Sequence, residues 1–337
     1  MKKKKPQTEN GKNTHIFLAT MNSNLLPIHF APLQGYTDAA YRRAHASIFG
    51  GIDTYYSPFV RVEHGEIRRK DIRDINPENN PKIHLIPQLI ASKPDKLEQI
   101  IALFIENNYQ EADINLGCPF PMLAKRHNGA GMLPYPEEVK DLLIAAIEKY
   151  PQIRFSVKLR LGWESAEECL ALLPLLNALP LTHVILHPRL GQQQYKGEVD
   201  LSGFEAFYNG CDKPLLYNGD LRTIEDIQAI SERFPKLAGL VIGRGLLANP
   251  ALAWEYRQGE KLSPDEMIEK VRQLHTEVYN SYKEQLQGGD MQLLTKMKSF
   301  WEYLLPDGDR KARKALHKAT KITNYQIAVN DLLSPHR

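Results

Sequence analysis

Eight short runs of apolar, β-branched or aromatic residues alternate with stretches of helical period along most of this 337-residue chain. The runs are Ile28–Pro32, Thr54–Pro58, Ile83–Leu89, Ala112–Leu116, Arg154–Leu161, Val184–His187, Leu215–Asn218 and Leu240–Gly243. Between them, residues such as Lys96, Ile100, Leu103, Phe104 and Asn107, or Val139, Leu142, Leu143, Ala146 and Ile147, repeat at helical spacing. Strands alternating with helices imply βαβ units and a parallel sheet. Eight such units predict an α/β fold, a closed (β/α)8 TIM barrel. A doubly wound sheet of the Rossmann kind would place G-x-G-x-x-G after the first strand, and that motif is missing. From about Leu262 the strand signals stop. Met267–Tyr282, Gln292–Leu305, Arg310–Ile322 and Asn324–Leu333 read as helices, with Leu293, Met297, Phe300, Trp301 and Leu304 on one face. The expected organisation is a flexible tail over 1–26, a barrel over 27–258 and an all-helical C-terminal domain over 259–337.

Composition narrows the class. Apolar residues make up 42% of the chain, enough for a sizeable core and too many for wholesale disorder. The net charge of +3 is too mild for a histone-like polycation, so a polyanionic partner must meet a local patch. Cys118, Cys169 and Cys211 form no C-x-x-C pair, which argues against a disulfide scaffold or zinc ribbon and for a reduced compartment. No metal site is expected. The longest greasy stretch, Leu170–Leu181, is interrupted by Pro174, Asn177 and Pro180. It falls well short of the roughly 20 residues of a membrane span. The basic start, Met1–Lys5, lacks a following apolar segment and so does not read as a signal peptide. A soluble cytoplasmic protein, acting as a monomer, is the expectation.

In a (β/α)8 barrel the chemistry sits at the C-terminal ends of the strands. Polar and glycine-rich strings fall at seven of the eight ends here: Ala31-Pro32-Leu33-Gln34-Gly35, Pro87-Gln88, Asn115-Leu116-Gly117-Cys118-Pro119, Lys158-Leu159-Arg160, His187-Pro188-Arg189, Asn218-Gly219-Asp220 and Gly243-Arg244-Gly245. Each alone reads as an ordinary loop, but their recurrence points to a site. Gly219 and Gly243-Arg244-Gly245 follow the last two strands, where many barrels hold a phosphate on backbone amides; ordinary tight turns are the alternative. Lys158 lies inside an apolar strand, where a charge requires an anionic partner or loses its proton. Cys118, between a glycine and a proline at a strand exit, falls outside any apolar periodicity. A thiol with an ordinary pKa of ~8.5 stays protonated at neutral pH and can act as an acid. Cys169 and Cys211 read as packing and loop residues.

Taken together, these strings resemble the tRNA-dihydrouridine synthase family over essentially the whole chain from about Ile28. Matching pieces are Ala31 to Asp38, Pro87-Gln88-Leu89, Asn115 to Pro119, Val157-Lys158-Leu159-Arg160, His187-x-Arg189 with Gln193, Tyr195 and Gly197, Asn218-Gly219-Asp220 and Gly243-Arg244-Gly245. Phe59-Val60-Arg61-Val62 and Arg160-Leu161-Gly162-Trp163 resemble the C-type bacterial branch. The resemblance implies an FMN-bearing barrel that uses NADPH to reduce a uridine of tRNA across C5=C6. By motif, Pro32, Leu33 and Gln34 would line the flavin, with Gln88 on its pyrimidine edge. Lys158 would stand near N1/O2 and His187 would make a further contact. Asn218, Gly219, Asp220, Gly243 and Arg244 would hold the phosphate. Asn115 and Arg189 would meet substrate and Cys118 would donate the proton. Two departures from the family pattern, Leu190 after His-x-Arg and Phe120-Pro121-Met122 after Cys-Pro, fall on substrate-facing loops.

For the RNA itself, Arg310, Lys314, Lys318 and Lys321 recur at i, i+4, i+8 and i+11. They form a basic stripe expected to meet phosphates, with Arg61 a further candidate. No acid occurs between Arg310 and Asn330. Two competing readings share the barrel: an FMN-dependent reductase of a free small molecule, of the dihydroorotate dehydrogenase kind, and a dihydrouridine synthase acting on ribosomal RNA. The first leaves the basic helical segment without a role.

Overall fold

The structure, a computed structural model, describes residues 25–334. The tail expected over 1–26 therefore lies outside the described residues, apart from Leu25 and Leu26, which pack against the core.

The barrel strands are β1 (Ile28–Phe30), β2 (Thr54–Tyr56), β3 (Leu85–Ile86 and Gln88–Leu89), β4 (Glu111–Leu116), β5 (Arg154–Gly162), β6 (Val184–Leu190), β7 (Leu215–Tyr217) and β8 (Gly239–Ile242). All neighbours run parallel, and β8 pairs with β1 through Ile28 and Leu240. Pro87 splits β3 because it has no N–H for the ladder. Its carbonyl still accepts from the Asp113 amide, at 3.0 Å. The first half of β3 pairs with β2 and the second with β4, so the ring closes through the split strand.

Strand alternation sends every second side chain into the barrel. Tyr56, Ile86, Ile185, Leu216 and Val241, from five strands, with Ala31 just past β1, form an apolar layer of their own inside it. At the opposite end from the cleft described below, Tyr56 Oη lies 3.2 Å from His29 Nδ1 and 2.7 Å from His183 Nε2, satisfying polar groups on the barrel floor.

Around the strands run α1 (Ala39–Ile48), α2 (Arg69–Ile75), α3 (Pro94–Glu106), α4 (Pro136–Lys149), α5 (Glu167–Ala178), α6 (Leu201–Gly210), α7 (Ile224–Arg233) and α8 (Leu252–Gln258). Their starts are set locally. Asp38 and Asp200 accept from the N3 amides of α1 and α6, and Thr223 with Asp226 makes a capping box on α7, each satisfying donors that a helix start leaves unpaired. Four helices follow: α9 (Pro264–Gln285), α10 (Gly289–Phe300), α11 (Arg310–Lys318) and α12 (Ile322–Leu332). They gather around Trp301, which is fully buried and donates its indole N–H to Tyr325 Oη at 2.9 Å. No helix among the described residues is long and apolar enough to cross a membrane.

The helical part is fastened to the barrel by polar contacts. Asp38 accepts from Tyr282 Oη at 2.9 Å and from Lys296 Nζ at 2.8 Å while capping α1. Lys270 donates to the Ile48 carbonyl at 2.8 Å, and Tyr36 to Glu302 at 2.6 Å.

The helix expected over 310–322 ends four residues early, and the last helix begins at Ile322 instead of Asn324. Helix α11 stops at Lys318, the backbone turns extended at Ala319, and Lys321 is the extended N-cap of α12. The break lets Tyr325, Ala328, Val329 and Leu332 fold back into the core beside Ala312 and Leu316. Arg310, Lys314 and Lys318 remain on one exposed ridge, and Lys321 flanks it instead of extending it. Similarly, α10 ends at Phe300, and Trp301 and Leu304 are buried from the turn beyond it.

Removing Trp301 deletes the largest side chain in the helical core together with its hydrogen bond. Trp301→Ala is expected to cost about 3–5 kcal/mol of unfolding free energy, read as a lower midpoint in urea denaturation.

Candidate active site

At the C-terminal ends of the strands a cleft of about 900 Å³ opens to solvent. Every strand except β3 contributes to its wall: Ala31, Pro32, Leu33 and Gln34; Phe59; Asn115, Gly117 and Cys118; Lys158 and Arg160; His187; Asn218, Gly219 and Asp220; Gly243, Arg244 and Gly245. The structure thus brings together Cys118 with most of the cofactor residues expected from sequence.

Two residues named from sequence stand behind the wall. Gln88 is fully buried, donating to Asp113 Oδ2 at 2.7 Å and accepting from Asn115 Nδ2 at 2.8 Å. Arg189 is also buried. Its guanidinium donates to the Gly197 carbonyl at 2.8 Å and to His187 Nε2 at 3.3 Å, and it forms an ion pair with Asp220. Their strand-end positions were visible in sequence; the direction in which each side chain is committed was not.

Gln88 belongs to a hydrogen-bonded relay that ends at the cysteine. Asp113, sealed inside the barrel, accepts from Ser156 Oγ and Gln88 Nε2, both at 2.7 Å. Gln88 holds Asn115, whose Oδ1 accepts from the backbone amides of Gly117 at 3.1 Å and Cys118 at 2.8 Å. Burial pushes the Asp113 carboxyl up to about 6, opposed by the bonds from Gln88 and Ser156, as expected of a carboxylate removed from water. Asp113 itself escaped the sequence reading because it sits mid-strand, where an acid looks like a solvent-facing residue.

The other side of the Cys118 loop is held by Gly129. Its φ is +60°, and a Cβ there would stand 2.8 Å from the Cβ of Cys118. Only glycine fits such a position. The Cys118 carbonyl accepts from the Ala130 amide at 3.0 Å. Burial pushes the thiol up from its ordinary value, outweighing the Phe120 amide and the cations of Arg160, Arg61 and Lys158. Desolvation disfavours the thiolate, so the sulfur is a protonated donor at neutral pH.

Lys158 faces Asn115 across the β4–β5 pair. Burial lowers its pKa to about 8, and Arg160 on the same strand adds repulsion. Arg160 is anchored by the carbonyls of Gly117 at 3.0 Å and Gln194 at 2.7 Å. Its lock on the Gly117 carbonyl was missed because it joins strands 43 residues apart. Tyr195 lies against both Arg160, at 5.4 Å, and Arg244, at 4.7 Å. Each guanidinium is in cation–π contact with the ring.

His187 is held neutral. Burial first, then Arg160, Lys158 and Arg189, keep it well below the usual imidazole range. A guanidinium only donates, so the nitrogen facing it must accept. Nε2 is therefore the acceptor from Arg189, and Nδ1–H donates to Asn218 Oδ1 at 3.3 Å. Asn218 in turn donates to the Val241 carbonyl at 2.6 Å.

Partial burial disfavours the charge on Asp220, but Arg189 and Arg244 outweigh it and hold the carboxyl below its usual range. Arg244 reaches it at 2.8 Å. Gly245 packs so closely that a Cβ would meet the Leu221 carbonyl at 2.0 Å. The lining therefore carries Lys158, Arg160, Arg222 and Arg244 against one carboxylate that is already paired. Such a donor set suits an anionic group with hydrogen-bond acceptors, and the residues present fit a flavin mononucleotide. Of the RNA candidates, Arg61 is half-buried and pairs with Glu63, while Arg310, Lys314, Lys318 and Lys321 are exposed, away from the cleft lining.

Comparison with known proteins agrees with this arrangement. The chain is 28% identical over 234 residues to tRNA-dihydrouridine(16) synthase of Haemophilus ducreyi, covering 67% of this chain and 71% of that one. It is 26% identical over 285 residues to a probable tRNA-dihydrouridine synthase 1 of Synechocystis, covering 81% and 77%. Among solved structures, the old yellow enzyme from Trypanosoma cruzi superposes with a TM-score of 0.49 at 13% identity, covering 71% of this chain and 91% of that one, a likeness too distant to bear on chemistry. The sequence model described as dihydrouridine synthase (Dus) matches residues 29–333. With that match over nearly its whole length, the chain belongs to the dihydrouridine synthase family.

Proposed function

We propose that this protein reduces the C5=C6 bond of a uridine in tRNA, with FMN seated in the cleft and NADPH as the electron donor. The observation that carries this reading is the placement of a protonated, loop-locked thiol, Cys118, in the same cleft as Lys158, Arg160 and Arg244.

Pro32, Leu33 and Gln34 would flank the isoalloxazine, with Gln34 steadied by its 2.9 Å bond to the Phe59 carbonyl. Lys158 would face N1/O2, and neutral His187 would add a contact. Gln88, fixed from below, would meet the ring edge only by exchanging one of its present partners; as seated it orients Asn115. Gly219, Gly243 and Arg244 would hold the phosphate with Asn218 behind them, and Asp220 would aim Arg244. When bound, reduced FMN supplies the hydride that saturates uracil C6. Negative charge then develops toward C4–O and C5. Asn115, on the cleft wall, meets the uracil edge, and Cys118 delivers its proton to C5 on the opposite face. Arg189 works through His187 and Asp220, and not by touching the base. Arg310, Lys314, Lys318 and Lys321 bind tRNA phosphates, with Arg61 nearer the cleft.

The test of the reading is mass-spectrometric detection of a +2 Da uridine in a transcribed tRNA incubated with protein, FMN and NADPH. Free uridine reduced as fast as tRNA would replace the reading with a small-molecule reductase. Cys118→Ala is expected to keep FMN and tRNA binding while single-turnover product formation falls about 10²-fold or more. Undiminished turnover would dismiss the thiol as the acid.

The pH dependence follows from the raised thiol pKa. The protonated form is fully present below the ordinary thiol range of ~8.5, so single-turnover reduction stays level through neutrality and declines only above that range. A decline centred near pH 7 would point to another acid. For the ridge, replacing Arg310, Lys314 and Lys318 together by Ala should flatten the slope of log affinity against log salt by about 2–3, roughly one for each phosphate no longer neutralised.

A further inference from the structure

Next to Cys118 the chain presents two apolar side chains to solvent that the reaction as described leaves unused. Phe120 is 49% exposed and Met122 is 66% exposed, while Ala124 of the same short turn is buried. The cleft beside them carries the cations Lys158, Arg160, Arg222 and Arg244, so this small apolar surface is rimmed by charge, as interaction surfaces commonly are. The turn is rigid. Phe120 lies between Pro119 and Pro121, and a following proline confines a residue to extended backbone. It is found at φ −66°, ψ 120°. The amides of Leu123 and Ala124 bond back to the Phe120 carbonyl at 2.9 and 3.0 Å, and Gly131 packs against Ala124 so tightly that a Cβ would approach to 2.4 Å. A ring held this way is presented with little ordering cost on contact.

Charge indicates the occupant. No acid occurs from Cys118 through Pro136, whereas Lys125 and Arg126 are both exposed on the same turn. An apolar ring and thioether flanked by cations complement nucleic acid: a base face for the ring, phosphates for the charges. A uridine that enters the cleft must first leave its stack, exposing the face of the neighbouring base.

We propose that Phe120, supported by Met122, stacks on the nucleotide next to the extruded uridine, and that Lys125 and Arg126 hold the adjoining phosphates. This rests on the reading of tRNA as substrate. Phe120 is a positioning residue: it keeps the uridine out of its stack and does not touch the reacting atoms.

The experiment uses the FMN-loaded full chain and a transcribed tRNA that the wild-type protein reduces. In Phe120→Trp, KM stays within about twofold of wild type and the added indole fluorescence is quenched when tRNA binds, beyond any change in a wild-type control. In the double variant Phe120→Ser/Met122→Ser, KM for tRNA rises on the order of tenfold, in the range expected for one lost base stack. Its flavin reduction by NADPH changes less than about twofold. An unquenched indole in the first variant, or an unchanged KM in the double variant, overturns the proposal while leaving the synthase reading intact. A wild-type protein that reduces no tRNA removes both.

Discussion

A carboxylate inside a barrel of apolar strands has to be supplied with hydrogen bonds from its neighbours, because water cannot reach it. Asp113 is that group. Ser156 and Gln88 satisfy it, and satisfying it consumes one end of Gln88. The other end is then free only for Asn115, and Asn115 spends its oxygen on the amides of Gly117 and Cys118. A demand created at the centre of the barrel is thereby passed outward until it fixes the backbone that carries the thiol. Gly129 closes the same loop from the opposite side, where no side chain is admitted.

The electrostatics follow a matching logic. Lys158 and Arg160 lie two residues apart on β5 and repel each other within a poorly hydrated space, and each has its proton affinity lowered by burial. His187 responds by staying uncharged. Asp220 is already divided between Arg189 and Arg244. The barrel end is therefore an electrostatically incomplete structure, which an anion of flavin phosphate type would complete. Burial of the sulfur outweighs the pull of these cations, and so the thiol keeps its proton.

Much of this was legible in the sequence, for physical reasons. Parallel barrel strands are covered on both faces, so they appear as unbroken apolar runs, and all eight were visible that way. Cys118 stood out because glycine and proline on either side exclude it from any packed helix face. What escaped depended on which groups meet across the ring. Asp113, Ser156 and the grip of Arg160 on the Gly117 carbonyl join strands far apart in sequence. Gln88 and Arg189 stand at strand ends as expected, but their donors turn inward to neighbours that no local pattern names. The break between the last two helices was placed near residue 323 instead of Ala319 because the basic and apolar periodicities run on through Ala319, although the second apolar face can reach the core only if the chain turns there.

One contact described in the fold sets how the two parts of the molecule work together. Asp38 caps the first barrel helix and at the same time binds Tyr282 and Lys296 of the helical part, so a single carboxylate is shared across the junction. Elements pinned to a common anchor cannot swing apart without giving up all of those bonds at once. The ridge of Arg310, Lys314 and Lys318 therefore stands at a set span from the thiol, like the jaws of a caliper locked at one opening. For a tRNA held as proposed, with the ridge on its phosphates and the thiol at the uridine, that fixed span would make selection among uridines a matter of length as well as of chemistry.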